Sequence, residues 1–351
     1  MFPPECFPLK NTSIRIPSRG LGTFQVDPKV YPEGSVKDSV LQALNLGYRH
    51  IDAAFGYGWG QVERDIGEAI RESCIPREEL FIVTKLHNCF HKFEDVEINM
   101  DMSLGNFKME YVDLYLMHFP YAYATTDGYG TQRTPDGKPV VDIPLSQAYD
   151  VTWAAMEKLV EKGKTKLIGV SNFSTPKLKR LLQTAKIYPV INQIEVHPYF
   201  PQKSLVEFCQ ANDIHVTAHC PLGGAPIPVL IGRHGLGPLE DPTVRNFSPI
   251  YSLIIGADIA GGKILQLAKK YNKTAAQMIL CHTICRGISV IPKTNNPKRI
   301  VENFEVIFEM DDSDFTLIDN LMGERGEQGI RNFETRHYLG FDNFNEEVEE
   351  P

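Results

Sequence analysis

Nothing in this 351-residue sequence marks it for a membrane, a nucleic acid or an oxidising compartment. No apolar run approaches the roughly 20 residues that span a bilayer. Basic residues are not in excess: 36 Lys and Arg stand against 44 Asp and Glu, a net charge of −8. That balance leaves no global electrostatic case for nucleic acid or an anionic membrane as partner. The seven cysteines are scattered, odd in number and free of any Cys-x-x-Cys pair, which argues against a disulfide framework. The opening Met1-Phe2-Pro3-Pro4-Glu5-Cys6 lacks the basic and apolar regions of a signal peptide, so a reduced, cytoplasmic protein is the expectation. No linker divides the chain, and an apolar fraction of 42% suffices for one core, so residues 1–351 are read as a single domain. The acidic end at 346–350 reads as a solvated tail.

What is present is a regular alternation. Residues 7–16 read as a hairpin around a polar turn, and eight short apolar runs follow, near 21–24, 49–52, 80–85, 112–118, 166–170, 190–196, 214–218 and 288–291. Helical periodicity separates them. Ser35 is expected to cap the first helix and Gly47 to stop it; Thr175-Pro176 and Asn296-Pro297 open later helices, the last taken as the final one. Two long loops stand out, at 119–144 after the fourth strand and 221–258 after the seventh, and the tail from about 320 shows little periodicity. Eight βα units imply parallel pairing, and a closed (β/α)₈ barrel accommodates them without exposed edges. A doubly wound open sheet would need a phosphate loop after its first strand, but Gly20-Leu21-Gly22 lacks the third glycine.

Several motif-like stretches carry nothing. Residues 257–264 resemble a P-loop but lack its first glycine and final hydroxyl. His87 and His91 have no supporting carboxylate; His215 and His219 fall on one strand, ~13 Å apart, too far to share a metal. No metal site is expected. Cys281 and Cys285 sit in a helical pattern and read as core.

Four strand-end groups do carry chemistry: Asp52, Lys85 and His118 close the second, third and fourth strands, and Tyr57 follows Asp52 among glycines. Such ends are where a (β/α)₈ barrel keeps its active site. Reduction of a carbonyl by hydride needs a proton donor at the oxygen. A lysine held by Asp52 would favour the phenolate and make Tyr57 a usable acid, while His118 orients the carbonyl. In order and context these residues resemble the catalytic tetrad of the aldo-keto reductase superfamily.

That resemblance extends over nearly the whole chain, and it implies NADPH as cofactor, with NADH possible. Ser171 and Asn172 in Gly169-Val170-Ser171-Asn172-Phe173, with Gln193, are similar to the nicotinamide carboxamide contacts. Lys293, Thr294, Asn295 and Arg299 resemble the adenosine-phosphate grip, and Glu302 and Asn303 the adenine contacts. Thr23, His219, Cys220 and Leu222 complete the implied cofactor contacts, and Phe24 and Phe119 join Tyr57 and His118 against the substrate. Lys293, Lys298 and Arg299 also cluster by a helix N-terminus, where a phosphate is at home. An arginine fork there favours NADPH over NADH.

Three departures concern the substrate and cofactor. His219 replaces the usual stacking tyrosine, Phe24 and Phe119 replace tryptophans common in sugar reductases, and the loop at 221–258 is long. The phenylalanines widen the mouth and remove an indole donor. An imidazole at 219 is able to charge near physiological pH, which would weaken NADP⁺ relative to NADPH as pH drops. The tail beyond about 330 and the 119–144 loop are expected to border the substrate. The implied activity is reduction of an aldose or a small aliphatic or aromatic aldehyde or ketone by a monomer or homodimer. The alternatives are the reverse, polyol-oxidising reaction and a nicotinamide-sensing regulatory subunit.

Overall fold

The computed structural model describes residues 1–25, 34–223, 260–321 and 331. A hairpin of β1 (Cys6–Pro8) and β2 (Arg15–Pro17) precedes β3 (Leu21–Gly22). Then follow α1 (Ser35–Leu46), β4 (His50–Asp52), α2 (Gln61–Ser73), β5 (Phe81–Leu86), α3 (Phe93–Phe107) and β6 (Val112–Met117). The insertion after β6 folds into a small antiparallel ribbon, β7 (Ala122–Tyr123) with β8 (Val141–Asp142), closed by the short α4 (Ile143–Gln147). The alternation resumes with α5 (Tyr149–Glu161), β9 (Thr165–Ser171), α6 (Thr175–Thr184), β10 (Ile191–Glu195), α7 (Lys203–Ala211) and β11 (His215–His219). It ends with α8 (Ala260–Tyr271), α9 (Ala275–Cys285), β12 (Ile288–Val290), α10 (Pro297–Phe304) and α11 (Asp312–Asp319).

Eight strands, β3 to β6 and β9 to β12, form one parallel sheet in chain order. The two ends of that sheet meet. Gly20 N–H donates to Val290 O at 2.8 Å, Val290 N–H to Ser18 O at 2.9 Å, and Gly22 N–H to Pro292 O at 3.2 Å. The sheet is therefore a closed barrel, as the alternation predicted. Gly22 permits the closure: a Cβ there would stand 2.5 Å from the Ile291 carbonyl oxygen.

Strand parity divides the core in two. Phe81, Val83, Leu114, Leu116, Leu167 and Ile191 fill the barrel interior, sealed at the N-terminal end by Leu9 and Ile16 of the hairpin. The alternate residues Ile51, Ile82, Leu86, Tyr115 and Ile168 pack outward among the helices. Both faces being covered, β5 and β6 are buried along their whole length, which is why apolar residues predominate on both parities. Among the described residues no helix is long and apolar enough to cross a membrane.

Three boundary expectations need correction. Ser35 does not cap α1: Gly34, at φ 80°, holds the cap position and Ser35 is the first helical residue. Ser174, one residue early, holds the cap position of α6, so Thr175 lies inside the helix. The Asn296 cap is as expected, its side chain accepting from Arg299 N–H at 3.1 Å, but α10 is not the final helix. α11 follows it, and its apolar side, Phe315 and Ile318, packs on Met278 and Ile279 of α9. Residues 224–258 of the second long loop, and the tail at 332–351 expected to border the substrate, lie outside the described residues.

The interior also buries histidines in neutral form. Desolvation pulls His50 down to about 4, against the Asp52 carboxylate, and pulls His91 and His215 to about 3. Both ring nitrogens of fully buried His91 lack a hydrogen-bond partner among the described residues. Between those values and the ordinary 6.5 the unfolded chain binds protons that the folded chain refuses. Stability is therefore complete above about 6.5 and falls as pH drops toward 4, at about 1.4 kcal/mol per unit for each group. Thermal unfolding measured across that range should show the loss, and His91→Phe should flatten it; an unchanged slope would mean that His91 does not resist protonation.

Candidate active site

The C-terminal ends of β4, β5 and β6 deliver Asp52, Lys85 and His118 to one side of the barrel mouth, and the turn after β4 returns Tyr57 over them. Asp52 and Lys85 share the inward parity. Their ion pair closes at 2.6 Å with the lysine wholly buried and the carboxylate 2% exposed. Lys85 Nζ also donates to Ala53 O at 2.8 Å and to the Tyr57 hydroxyl oxygen at 3.4 Å. Three acceptors match the three N–H donors of an ammonium. Because the Tyr57 oxygen accepts from Lys85, its own proton is left to point away from the lysine. The Tyr57 and His118 rings lie edge to face, centroids 5.8 Å apart.

The electrostatics differ from the expectation in one respect. At rest the Tyr57 phenol is less acidic than a free one, despite the lysine beside it. Burial, and then the Asp52 charge, push the phenol well above its ordinary value of 10. Lys85 is itself pulled down by burial, with the Asp52 carboxylate opposing. The resting phenol therefore keeps its proton. His118 is held well below 6.5 by burial and then by the Lys85 charge, so it presents a neutral imidazole.

The residues implied for the nicotinamide end converge on the same group. Gln193 Nε2–H donates to Asp52 Oδ2 at 2.7 Å, and Ser171 Oγ–H to Gln193 O at 2.8 Å. Asn172, at φ 63°, donates through Nδ2 to His118 O at 3.0 Å and faces His219 Nε2 through Oδ1 at 3.0 Å. Thr23 Oγ–H donates to Asp52 O at 2.7 Å. Cys220 is left-handed at φ 48°, its thiol pushed up by burial and the Glu195 carboxylate, and half-buried Leu222 packs against the core. Burial holds His219 down to about 4, with Glu195 opposing, so the imidazole is neutral at physiological pH. The expected cationic His219, and the pH-dependent discrimination built on it, are therefore corrected: desolvation outweighs the nearby carboxylate.

The residues implied for the phosphate end lie apart, beside the barrel closure. A small cavity there is lined by Gly22, Thr23, Val40, Lys293, Thr294 and Asn295. Lys293 bridges to Gly22, and burial followed by Arg299's charge lowers its ammonium to about 8. Thr294 Oγ accepts from Asn296 N–H at 3.1 Å. Lys298 is turned to solvent, its side chain 85% exposed and 3.6 Å from Glu302; Asn303 is buried. Half-buried Lys293 and exposed Arg299 repel, and an anion between them relieves that. The residues present thus fit a phosphate.

The side implied for the substrate is aromatic. Phe24 stands edge-on to Tyr57 at 5.0 Å, and Phe119 stacks on His118 at 4.9 Å. Tyr121 and Tyr123 of the insertion continue the wall, so the 119–144 loop does border the mouth. Sequence reading weighed His87 only as a metal ligand and passed over Trp59; their rings meet at 4.9 Å. For His87 a signal existed, since two residues past Lys85 it keeps the same strand parity; for Trp59 none did. Among the described residues no three His, Cys, Asp or Glu side chains gather as a metal site would need.

Comparison with known proteins agrees with this arrangement. The sequence pattern of the Aldo/keto reductase family matches residues 20–322. The chain is 39% identical over 316 residues to aldo-keto reductase family 1 member A1-A of Danio rerio, covering 88% of this chain and 87% of that one. It is 36% identical over 316 residues to glycerol 2-dehydrogenase (NADP(+)) of Hypocrea jecorina, covering 89% and 90%. The solved aldose reductase of Giardia lamblia superposes with a TM-score of 0.76 at 30% identity, over 93% of this chain and 98% of that one. A barrel closed in chain order, its mouth built from Asp52, Tyr57, Lys85 and His118, and a pattern match over most of its length make this chain an oxidoreductase of the aldo/keto reductase family.

Proposed function

We propose that this enzyme reduces an aldehyde or ketone to the alcohol with NADPH, taking aldoses or small aliphatic or aromatic aldehydes. The observation that carries the reading is the chain of contacts from Asp52 through Lys85 to the Tyr57 oxygen, ending beside a neutral His118. Bound NADPH supplies the hydride. Tyr57 holds the proton that the carbonyl oxygen takes, and His118 donates a hydrogen bond that fixes that oxygen in place. As Tyr57 gives up its proton, the Lys85 ammonium at 3.4 Å stabilises the phenolate left behind. The high resting value of the phenol keeps the acid loaded until a carbonyl arrives. Ser171, Asn172 and Gln193 offer the hydroxyl and amide groups a carboxamide needs, and Lys293 and Arg299 the cations a 2′-phosphate needs. The name of the Hypocrea jecorina relative supports NADP(H) and the reverse, alcohol-oxidising direction as the second reading.

Two measurements test these roles. General acid catalysis is worth about 10²–10⁴-fold. Tyr57→Phe should lower kcat by that factor and leave the NADPH Kd within about twofold; near-normal turnover would remove Tyr57 from the mechanism.

Arg299→Ala should weaken NADPH about ten- to a hundredfold, the loss of a charge-assisted hydrogen bond, and NADH little. Lys293 adds a pH signature. With its value lowered to about 8, its charge is present below that pH and lost above it. The preference for NADPH over NADH in the parent should fall as pH rises through 8. A flat ratio, or equal losses of both cofactors in Arg299→Ala, would assign these residues to the fold.

A further inference from the structure

Two residues beyond Lys85, past the end of β5, His87 keeps the inward parity and stands one layer nearer the mouth. Its ring lies 4.9 Å from Trp59 and 6.2 Å from Phe55 and from Tyr123. From Tyr123 the rings continue through Tyr121 and Phe119 to His118, at 5.7, 5.0 and 4.9 Å. His87 thus closes an arc of aromatic side chains that begins at the carbonyl-orienting imidazole. A substrate chain that leaves the reacting carbon on the Phe119 side meets that arc.

The tautomer of His87 follows from its contacts. Nδ1 accepts the Cys89 N–H at 3.2 Å, so the ring proton is on Nε2. That Nε2–H has no hydrogen-bond partner among the described residues. Its place beside the acid is fixed by Gly56, the residue before Tyr57: a Cβ built there would lie 3.0 Å from His87 Cδ2 and 3.7 Å from Nε2, so this edge of the ring lies against Gly56. Any side chain at position 56 would push the imidazole aside. Burial lowers His87 to about 4, so it is a neutral donor throughout the physiological range.

We propose that His87 determines substrate specificity by donating an Nε2–H hydrogen bond to a hydroxyl oxygen on the carbon chain beside the reacting carbonyl. The favoured class is then short hydroxyaldehydes over plain alkyl aldehydes of equal length. A hydroxyl suits the site better than a carboxylate. At His87 itself a carboxylate would be desolvated against a neutral imidazole, while Lys85 is already committed to Asp52. This assignment rests on the carbonyl-reductase reading above.

The test is the ratio of kcat/KM for glyceraldehyde to that for propanal, measured with NADPH in the parent, His87→Phe and His87→Gln. One neutral hydrogen bond corresponds to about a three- to tenfold effect. The ratio should fall by that factor in His87→Phe and recover in good part in His87→Gln, which keeps an N–H donor. Where the larger ring does not fold, His87→Leu removes the donor with less bulk and should lower the ratio equally. A ratio unmoved by losing the donor overturns the assignment and leaves His87 as packing. A parent that reduces neither aldehyde overturns the reductase reading, and this inference with it.

Discussion

A lysine and an aspartate, both shut away from water, meet at 2.6 Å on neighbouring strands at the open end of the barrel. Removing one partner of such a pair costs about 3–5 kcal/mol, because the other is left charged in a medium that cannot solvate it. The surroundings are arranged to avoid that. The Ala53 carbonyl and the Tyr57 oxygen take the remaining lysine donors, and Gln193, 141 residues away in sequence, holds the second aspartate oxygen. Strands β4, β5 and β10 are thereby tied through one carboxylate. The position of Tyr57 follows from the same pair, since its oxygen is the third acceptor.

Around that pair, the phenol of Tyr57 and the imidazoles of His118, His87 and His219 are neutral. Burial keeps the Tyr57 phenol protonated and strips the proton from His118, His87 and His219. In the proposed reading this neutrality has a use. Charge that develops on a carbonyl oxygen meets oriented N–H and O–H groups with little competing field and few waters to reorganise. Of the cations that would read a phosphate, Lys293 bridges to Gly22 at the barrel closure and feels the charge of Arg299.

Much of the barrel is legible along the chain because its strands are covered on both faces. β5 and β6 read as mostly apolar runs that close near Lys85 and His118, and the period of two says which residues turn inward. Caps were less legible. Ser35 and Thr175 look like capping residues, but Gly34 and Ser174 stand one position earlier and hold the cap positions instead. α11 was missed since its apolar side, Phe315 and Ile318, has meaning only against Met278 and Ile279 of α9. Trp59 gave no signal at all. Its place on the rim depends on three successive left-handed residues, Gly58, Trp59 and Gly60, which no periodicity announces.

The amino-acid order by itself determined which chemical groups the mouth contains, because strand ends and strand parity are local properties of the backbone and its hydrophobic pattern. It determined the tetrad, the order of the strands and the position of the basic residues after β12. Only the tertiary structure decided the protonation states. A nearby lysine argues for an acidic tyrosine, and a solvent-facing histidine would charge near neutrality; both inferences take the local neighbour as the dominant influence. In the folded barrel desolvation is larger than either, and desolvation is set by side chains from every strand at once. No residue carries that information alone, so the sequence names the acid and the ring while the fold decides that both are neutral.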